Sequence, residues 1–187
     1  PWPSCRGTHP FIEIGLELAK NGPSAIESVE VEVSPVQQML VEPLERKRAP
    51  DVVIDARFSI PFAMALAIVR GRAGLDDFAP DCLNDAAILA MARRISAKVV
   101  ANPALDSGAG GAAVVRLADG TRQRYEIRTS RGAPSRPMSD EEIVAKFTDC
   151  ASRAAFAPDA ERVERLSDAI MNARKINDVR SLFAPIP

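Results

Sequence analysis

The stretch FSIPFAMALAIVRG, residues 58–71, constrains the fold more than any other part of the 187-residue chain. Its pattern is typical of a helix, because Ser59 can cap the start, Pro61 fits the first turn and Gly71 follows as a stop. This helix is apolar on nearly every side, and such a helix is stable in water only when other elements enclose it. The sequence therefore predicts a fold with this helix at its centre.

Composition limits the classes of protein to which the chain can belong. Hydrophobic residues make up 47%, charged residues 26%, and the net charge is -1, which is typical of a soluble globular protein without a nucleic-acid or membrane partner. No apolar run approaches the ~20 residues of a membrane-spanning helix, and no secretory signal is visible. Three separated cysteines and one histidine argue against a disulfide framework and a zinc site, and favour a reducing, cytoplasmic compartment.

Hydrophobic periodicity predicts the remaining helices and strands. A helix is predicted over 9–21, where Thr8 or His9 can occupy the N-cap, Pro10 fits the first helical position and Gly22 follows as a stop. A strand with a wet face follows at ESVEVEVS, and Asp119-Gly120 is typical of a two-residue hairpin loop. The other predicted elements are a charged loop at VEPLERKRAP, a helix at CLNDAAILAMARRI capped near Asn84 or Asp85, a short strand at SAKVVA, a helix after a Ser139/Glu142 capping box, an amphipathic helix near 159–174 with Val163, Leu166 and Ile170 on one face, and a helical turn at INDVRSLF.

This order of elements predicts an α+β fold. One antiparallel sheet of about four strands would have helices packed against it, with further helices at the C-terminal end. The sequence shows no internal repeat or low-complexity segment. Arg46, Lys47 and Arg48 in the charged loop are expected on a solvated face.

The opening residues PWPSCRGTHP concentrate reactive side chains: the only Trp, the only His and one of the three Cys. Arg6 and the N–H groups of the following helix can hold a carboxylate, and His9 can act as an acid or base near neutral pH. A Cys5–His9 nucleophile pair is a weaker hypothesis, because the sequence supplies no orienting third group. In the purely structural alternative, Thr8 and His9 cap the helix and Cys5 packs as a small apolar side chain.

Four blocks, in this order, resemble the MmgE/PrpD family: WPSCRGTHP, IDARFSIPFAMALAIVRG, the DG hairpin and PMSDEEIVAKFTDCA. The family includes 2-methylcitrate dehydratase, cis-aconitate decarboxylase and iminodisuccinate epimerase. The resemblance implies an α+β lid domain over residues 1–157, and a helical extension over 158–187 that packs on an all-helical domain absent from this sequence. Helix 159–174 is the expected site of an exposed apolar patch.

What the resemblance implies for function is a hydro-lyase acting on a small di- or tricarboxylate, without a metal or other cofactor, in a homodimer. The active site lies in the cleft between the two domains, so the lid is expected to be inactive alone. Residue 1 is not Met, so we expect that it is not the natural start. An epimerase or decarboxylase of the same family and a stand-alone interaction module stay open as alternatives.

The resemblance assigns five opening residues to the cleft. His9 and Cys5 are the candidate catalytic residues, and Arg6, Gly7 and Thr8 are candidate substrate-binding residues. The sequence predicts no metal site.

Other features of the resemblance lie outside the helix entrance. Arg57 is a further candidate substrate-binding residue, which can pair either with a substrate carboxylate or with Asp55 in a structural ion pair. A Lys commonly precedes the family's opening motif, and that position falls before Pro1. The decarboxylase branch has a His at the position of Cys5 and a Tyr at the position of Phe62, so both departures argue against decarboxylation.

Overall fold

The computed structural model describes residues 1–102, 109–155, 159–175, 178 and 180. Residue contacts divide it into a first unit, Pro1–Arg136, and a second unit, Pro137–Pro187. The predicted boundary between residues 157 and 158 rests on packing against another domain, so it stays a prediction. The helices are α1 (His9–Ala19), α2 (Leu44–Arg48), α3 (Val53–Arg57), α4 (Ile60–Arg70), α5 (Ala86–Arg93), α6 (Asp140–Ala151) and α7 (Ala160–Met171), and the strands are β1 (Ile26–Val33), β2 (Ile95–Val99), β3 (Gly111–Leu117) and β4 (Arg122–Ile127).

Helix α4 is the central buried helix that the sequence predicts. Every residue from Ile60 to Ile68 is buried. The hydroxyl of Ser59 accepts a hydrogen bond from the N–H of Phe62 at 3.1 Å, and Gly71 ends the helix with a φ of 64°. Helices α1 and α5 both pack against α4. The whole first unit is therefore organised around the most apolar stretch of the chain.

Gly15 lets α1 approach α4 closely. A Cβ atom at this position would lie 2.9 Å from the Cβ of Ala67 and 2.9 Å from the carbonyl oxygen of Met64. Only a residue without a side chain fits such a separation, because the neighbouring carbonyl belongs to the backbone of a buried helix. Helix α1, which carries His9, is thereby fixed against the centre of the core.

The sheet has four strands in the order β2-β1-β3-β4, and the prediction of a purely antiparallel sheet is wrong. Strand β1 pairs antiparallel with β3 but parallel with β2. The reason is the connection: residues 34–94, with four helices, separate β1 from β2, and a long helical crossover can return the chain in the same direction. The wet face of β1 is confirmed, since Val29, Val31 and Val33 are buried while Glu30 is exposed.

The hairpin between β3 and β4 forms at the predicted place but with a longer loop. The N–H of Leu117 donates to the carbonyl of Thr121 at 2.9 Å, which leaves three loop residues instead of two. Gly120 has a φ of 85°, as the last residue of such a three-residue loop requires. A carboxylate oxygen of Asp119 accepts the N–H of Thr121 at 2.8 Å and closes the turn.

Two predictions between β1 and α5 are refined by the structure. The segment predicted as a charged loop contains α2, which has Glu45 in its first turn and basic residues in its last, the arrangement that a helix dipole favours. Of the two predicted caps for α5, Asp85 is the one used: its carboxylate accepts the N–H groups of Ala87 and Ile88 at 2.8 and 3.1 Å.

The second unit contains the two predicted C-terminal helices. The capping box of Ser139 and Glu142 begins α6, which confirms that prediction. In α7, Val163 is buried while Ile170 is 50% exposed. The helical turn predicted at INDVRSLF lies largely outside the described residues.

Candidate functional site

The opening segment, Pro1–His9, is tied to the body of the first unit and to itself. The N–H of Cys5 donates to the carbonyl of Arg57 at 2.9 Å. The carbonyl of Cys5 accepts both the N–H and the hydroxyl of Thr8, at 2.8 and 2.7 Å, and the hydroxyls of Ser4 and Thr8 lie 2.8 Å apart. Thr8 is fully buried, and its hydroxyl stabilises the conformation of the opening segment through its contacts with Ser4 and Cys5. Its side chain makes no capping hydrogen bond to α1.

His9 is the first residue of α1 and is only 5% exposed. Its Nε2 lies 3.3 Å from the carbonyl oxygen of Ser4, and its ring meets Trp2 edge-on with the centroids 5.2 Å apart. Burial lowers the pKa of His9 to about 4, so the imidazole is neutral at pH 7. Its Nδ1 is buried and has no hydrogen-bond partner among the described residues. No hydrogen bond joins His9 to Cys5, so the hypothetical nucleophile pair is not formed here.

Three of the predicted site residues meet at one pocket of about 300 Å³. Cys5, Arg6 and Gly7 line one part of it, and Ala109 lines another. The remaining lining residues belong to the 310 helix Pro35–Leu40: Val36, Gln37, Met39 and Leu40. Arg6 is exposed, and its guanidinium makes no hydrogen bond or ion pair in the described part of the chain. The pocket therefore presents one unengaged cation against a mostly apolar wall.

Arg57 ends α3 beside the opening segment. Its carbonyl holds Cys5, its side chain is half-buried, and its Nε has no hydrogen-bond partner among the described residues. Both Arg57 and Asp55 are described, and no ion pair joins them, so the structural alternative for Arg57 is not realised in this chain. Arg57 stays a candidate for binding a substrate carboxylate.

Lys47 is a further candidate for the site, although its sequence predicts a solvated face. Its Nζ donates to the carbonyl of Phe58 at 2.8 Å, next to the carbonyl of Arg57 that binds Cys5. Burial lowers the pKa of Lys47, and the charge of Asp55 partly opposes that effect. The basic run RKR gave no signal of this, because position in a loop does not reveal which cation folds inward.

Exposed apolar side chains occur on the two short elements that contact the opening segment. On the 310 helix Pro35–Leu40, Val36 is 69% and Met39 66% exposed, and on α3 Ile54 is 58% exposed. In the second unit, where a docking patch was expected, Ile170 is 50% and Met171 36% exposed. Exposed apolar side chains are stabilised when a partner covers them. The 310 helix Pro35–Leu40 and α3 are therefore a second place where a partner can dock.

Among the described residues, no group of three or more His, Cys, Asp and Glu side chains is arranged to hold a metal ion. The described helices are all too short or too polar to cross a membrane.

The fold and the site together define an α+β unit with a pocket just before α1, and this pocket carries the exposed cation Arg6. The family model for the MmgE/PrpD C-terminal domain matches residues 2–172. The chain therefore belongs to the MmgE/PrpD family, and the resemblance seen in the opening and central blocks is confirmed. Comparison with curated proteins finds no match.

Proposed function

We propose that this chain is the lid part of a hydro-lyase resembling 2-methylcitrate dehydratase, which acts on a small di- or tricarboxylate. The observation that carries the proposal is Arg6, an exposed and unengaged cation at a pocket formed by the opening segment. A guanidinium binds a carboxylate through two parallel hydrogen bonds. The proposal assigns one substrate carboxylate to Arg6 and a second one to Arg57, whose buried Nε has no hydrogen-bond partner among the described residues.

The proposed reaction removes a proton from the carbon next to a carboxylate and expels hydroxide from the neighbouring carbon. The carbon–hydrogen electron pair becomes the new double bond, and the hydroxide leaves as water after it takes up a proton. Cations that hold the carboxylate stabilise the negative charge that develops on it during proton removal. His9, neutral at pH 7, is the proton-transfer candidate within this chain, and Cys5 lines the pocket nearby.

The proposal includes an all-helical domain that completes the active site, so that the lid alone is inactive. Support comes from the exposed Val36, Met39 and Ile54 beside the pocket and from the 5% exposure of His9, which leaves little room for substrate without a rearrangement on docking. The free thiols of Cys5, Cys82 and Cys150 fit the proposed cytoplasmic compartment. We propose a homodimer as the assembled form, which sedimentation of the complete enzyme tests.

The experiment is a substrate screen with a complete enzyme in which the helical domain accompanies this chain. Candidate substrates are 2-methylcitrate, citrate, cis-aconitate and iminodisuccinate, and the products are identified by NMR. Loss of water supports the hydro-lyase, whereas inversion without loss of water or release of carbon dioxide replaces it with an epimerase or a decarboxylase. No turnover of any carboxylate contradicts the proposal.

The role of Arg6 is tested in the same enzyme by Arg6→Ala. We expect KM to rise about tenfold or more, because a charge-assisted contact to the substrate is lost. Arg122→Ala is the matched control, since Arg122 is an exposed arginine of β4 outside the pocket. Equal kinetics for the two variants would remove Arg6 from the site.

A further inference from the structure

Gln37 is a buried amide whose hydrogen-bonding capacity is used in full. It is 1% exposed. Its Nε2 donates to the carbonyl oxygens of Gly7 and Gly110 at 3.0 and 2.9 Å. Its Oε1 accepts the backbone N–H and the hydroxyl of Ser34 at 3.0 and 3.1 Å. A side-chain amide offers two donor hydrogens and two acceptor lone pairs, so Gln37 is committed to protein partners.

These hydrogen bonds join three distant parts of the first unit. Gly7 and Gly110 lie 30 and 73 positions away from Gln37 in the sequence. Gly7 belongs to the opening segment and Gly110 directly precedes β3, whereas Ser34 directly follows β1. One side chain thus fixes the opening segment relative to the two central strands of the sheet.

The backbone on both sides of Arg6 is therefore anchored. On one side the N–H of Cys5 binds the carbonyl of Arg57, and on the other the carbonyl of Gly7 binds Gln37. The exposed side chain of Arg6 lies between the two anchors, at the pocket that Gln37 also lines. A cation on a fixed backbone loses less conformational entropy when it binds a ligand than one on a mobile backbone.

We propose that Gln37 is a positioning residue, which holds Gly7 and thereby sets the place of Arg6 for carboxylate binding. The inference rests on the proposed function, because it takes Arg6 as the carboxylate-binding residue. It adds a residue that contributes to affinity through the backbone of the opening segment.

The test measures the dissociation constant of citrate for the complete enzyme by calorimetry, with each variant held well below its own melting temperature. Gln37→Leu removes the four side-chain hydrogen bonds described above, and we expect binding to weaken about tenfold because Gly7 loses its anchor. Gln37→Met keeps the length of the side chain but has no amide, and should show the same direction if Gln37→Leu does not fold. The matched control is Gln38→Leu, since Gln38 is an exposed neighbour bonded to Glu42, and it should bind citrate as the wild type does.

A double-mutant cycle separates positioning from a general loss of structure. If Gln37 acts through Arg6, the double variant Arg6→Ala/Gln37→Leu binds citrate as weakly as Arg6→Ala alone. A further loss in the double variant, or wild-type affinity in both Gln37 variants while Arg6→Ala is weakened, overturns the positioning role and leaves the proposed function intact. Unchanged affinity in Arg6→Ala overturns carboxylate binding by Arg6, and this inference falls with it.

Discussion

Lowering the pH from 7 to 5 should destabilise the first unit through His9. Burial and, to a lesser degree, the positive charge of the terminal amine at Pro1 lower the pKa of His9 from 6.5 to about 4 in the folded chain. The unfolded chain therefore binds more protons than the folded chain between these two values, and by linkage the free energy of unfolding falls as the pH falls. The stabilisation is complete above the unfolded pKa and is lost as the pH drops towards the folded pKa.

The size of the effect follows from the shift. The full difference between the two pKa values corresponds to about 3 kcal/mol, and roughly 2 kcal/mol of it is lost between pH 7 and pH 5. Burial gives the physical reason: a protonated ring would carry its charge at a position only 5% exposed, where water cannot solvate it.

Urea unfolding of the wild type and of His9→Gln at several pH values checks the prediction. Glutamine keeps a donor that can reach the carbonyl of Ser4 but does not titrate, so the variant should lose about 2 kcal/mol less between pH 7 and pH 5. His9 is the only histidine, so the NMR signals of its ring report its pKa without ambiguity. A measured pKa near 6.5, or parallel stability curves for the two proteins, would refute the reasoning.

Two further substitutions test the packing and the caps of the first unit by urea denaturation. Gly15→Ala should cost about 1 to 3 kcal/mol, because its Cβ would press on the backbone of α4 at 2.9 Å; Gly74→Ala, where the nearest atom is 3.4 Å away, is the control, and equal losses would contradict the close contact. Asp85→Ala should cost about 1 kcal/mol because two N–H groups of α5 lose their acceptor. Asp85→Asn retains a capping oxygen and loses only the charge that pairs with Arg70 at 2.6 Å in a partly exposed ion pair, so it should stay within about 0.5 kcal/mol of the wild type; a full loss in this variant would assign the effect to that ion pair.

The sequence predicted those parts of the fold that depend on local pattern. The centre of the fold could be read from residues 58–71, because burial on all sides leaves a continuous apolar run, and Ser59 and Gly71 mark its ends. The direction of β2 could not be read in this way. Alternation on β1 shows that one face is wet, but the pattern is the same whether the neighbouring strand runs parallel or antiparallel.

In the candidate site, too, some contacts could be predicted from local sequence and others could not. Arg6 and His9 could be proposed from residue type and from their place at a helix entrance. For Gln37 the sequence offers only a partial signal: Ser34 and Gln37 have the spacing of a capping box, which the structure forms, and this pattern indicates the acceptor contacts of Gln37 but not its donor contacts. Its partners Gly7 and Gly110 are remote in sequence and offer only backbone carbonyls, which every residue carries. Hydrogen bonds from a side chain to a distant part of the main chain therefore cannot be predicted from the types of the residues.

The central place of β1 has a consequence for the order in which the chain can assemble. Of the four described strands, β1 is the first to be synthesised, yet its two neighbours are residues 95–99 and 111–117. During translation the edge of β1 that pairs with β2 stays unpaired until 66 further residues have emerged, counting from Val33 to Val99, and the edge that pairs with β3 stays unpaired until 84 have emerged, counting from Val33 to Leu117. The later hairpin of β3 and β4 needs only local contacts and can form at once. Glu30 and Glu32 alternate with the valines of β1, and in that interval their charges oppose pairing of β1 with the same strand of another nascent chain.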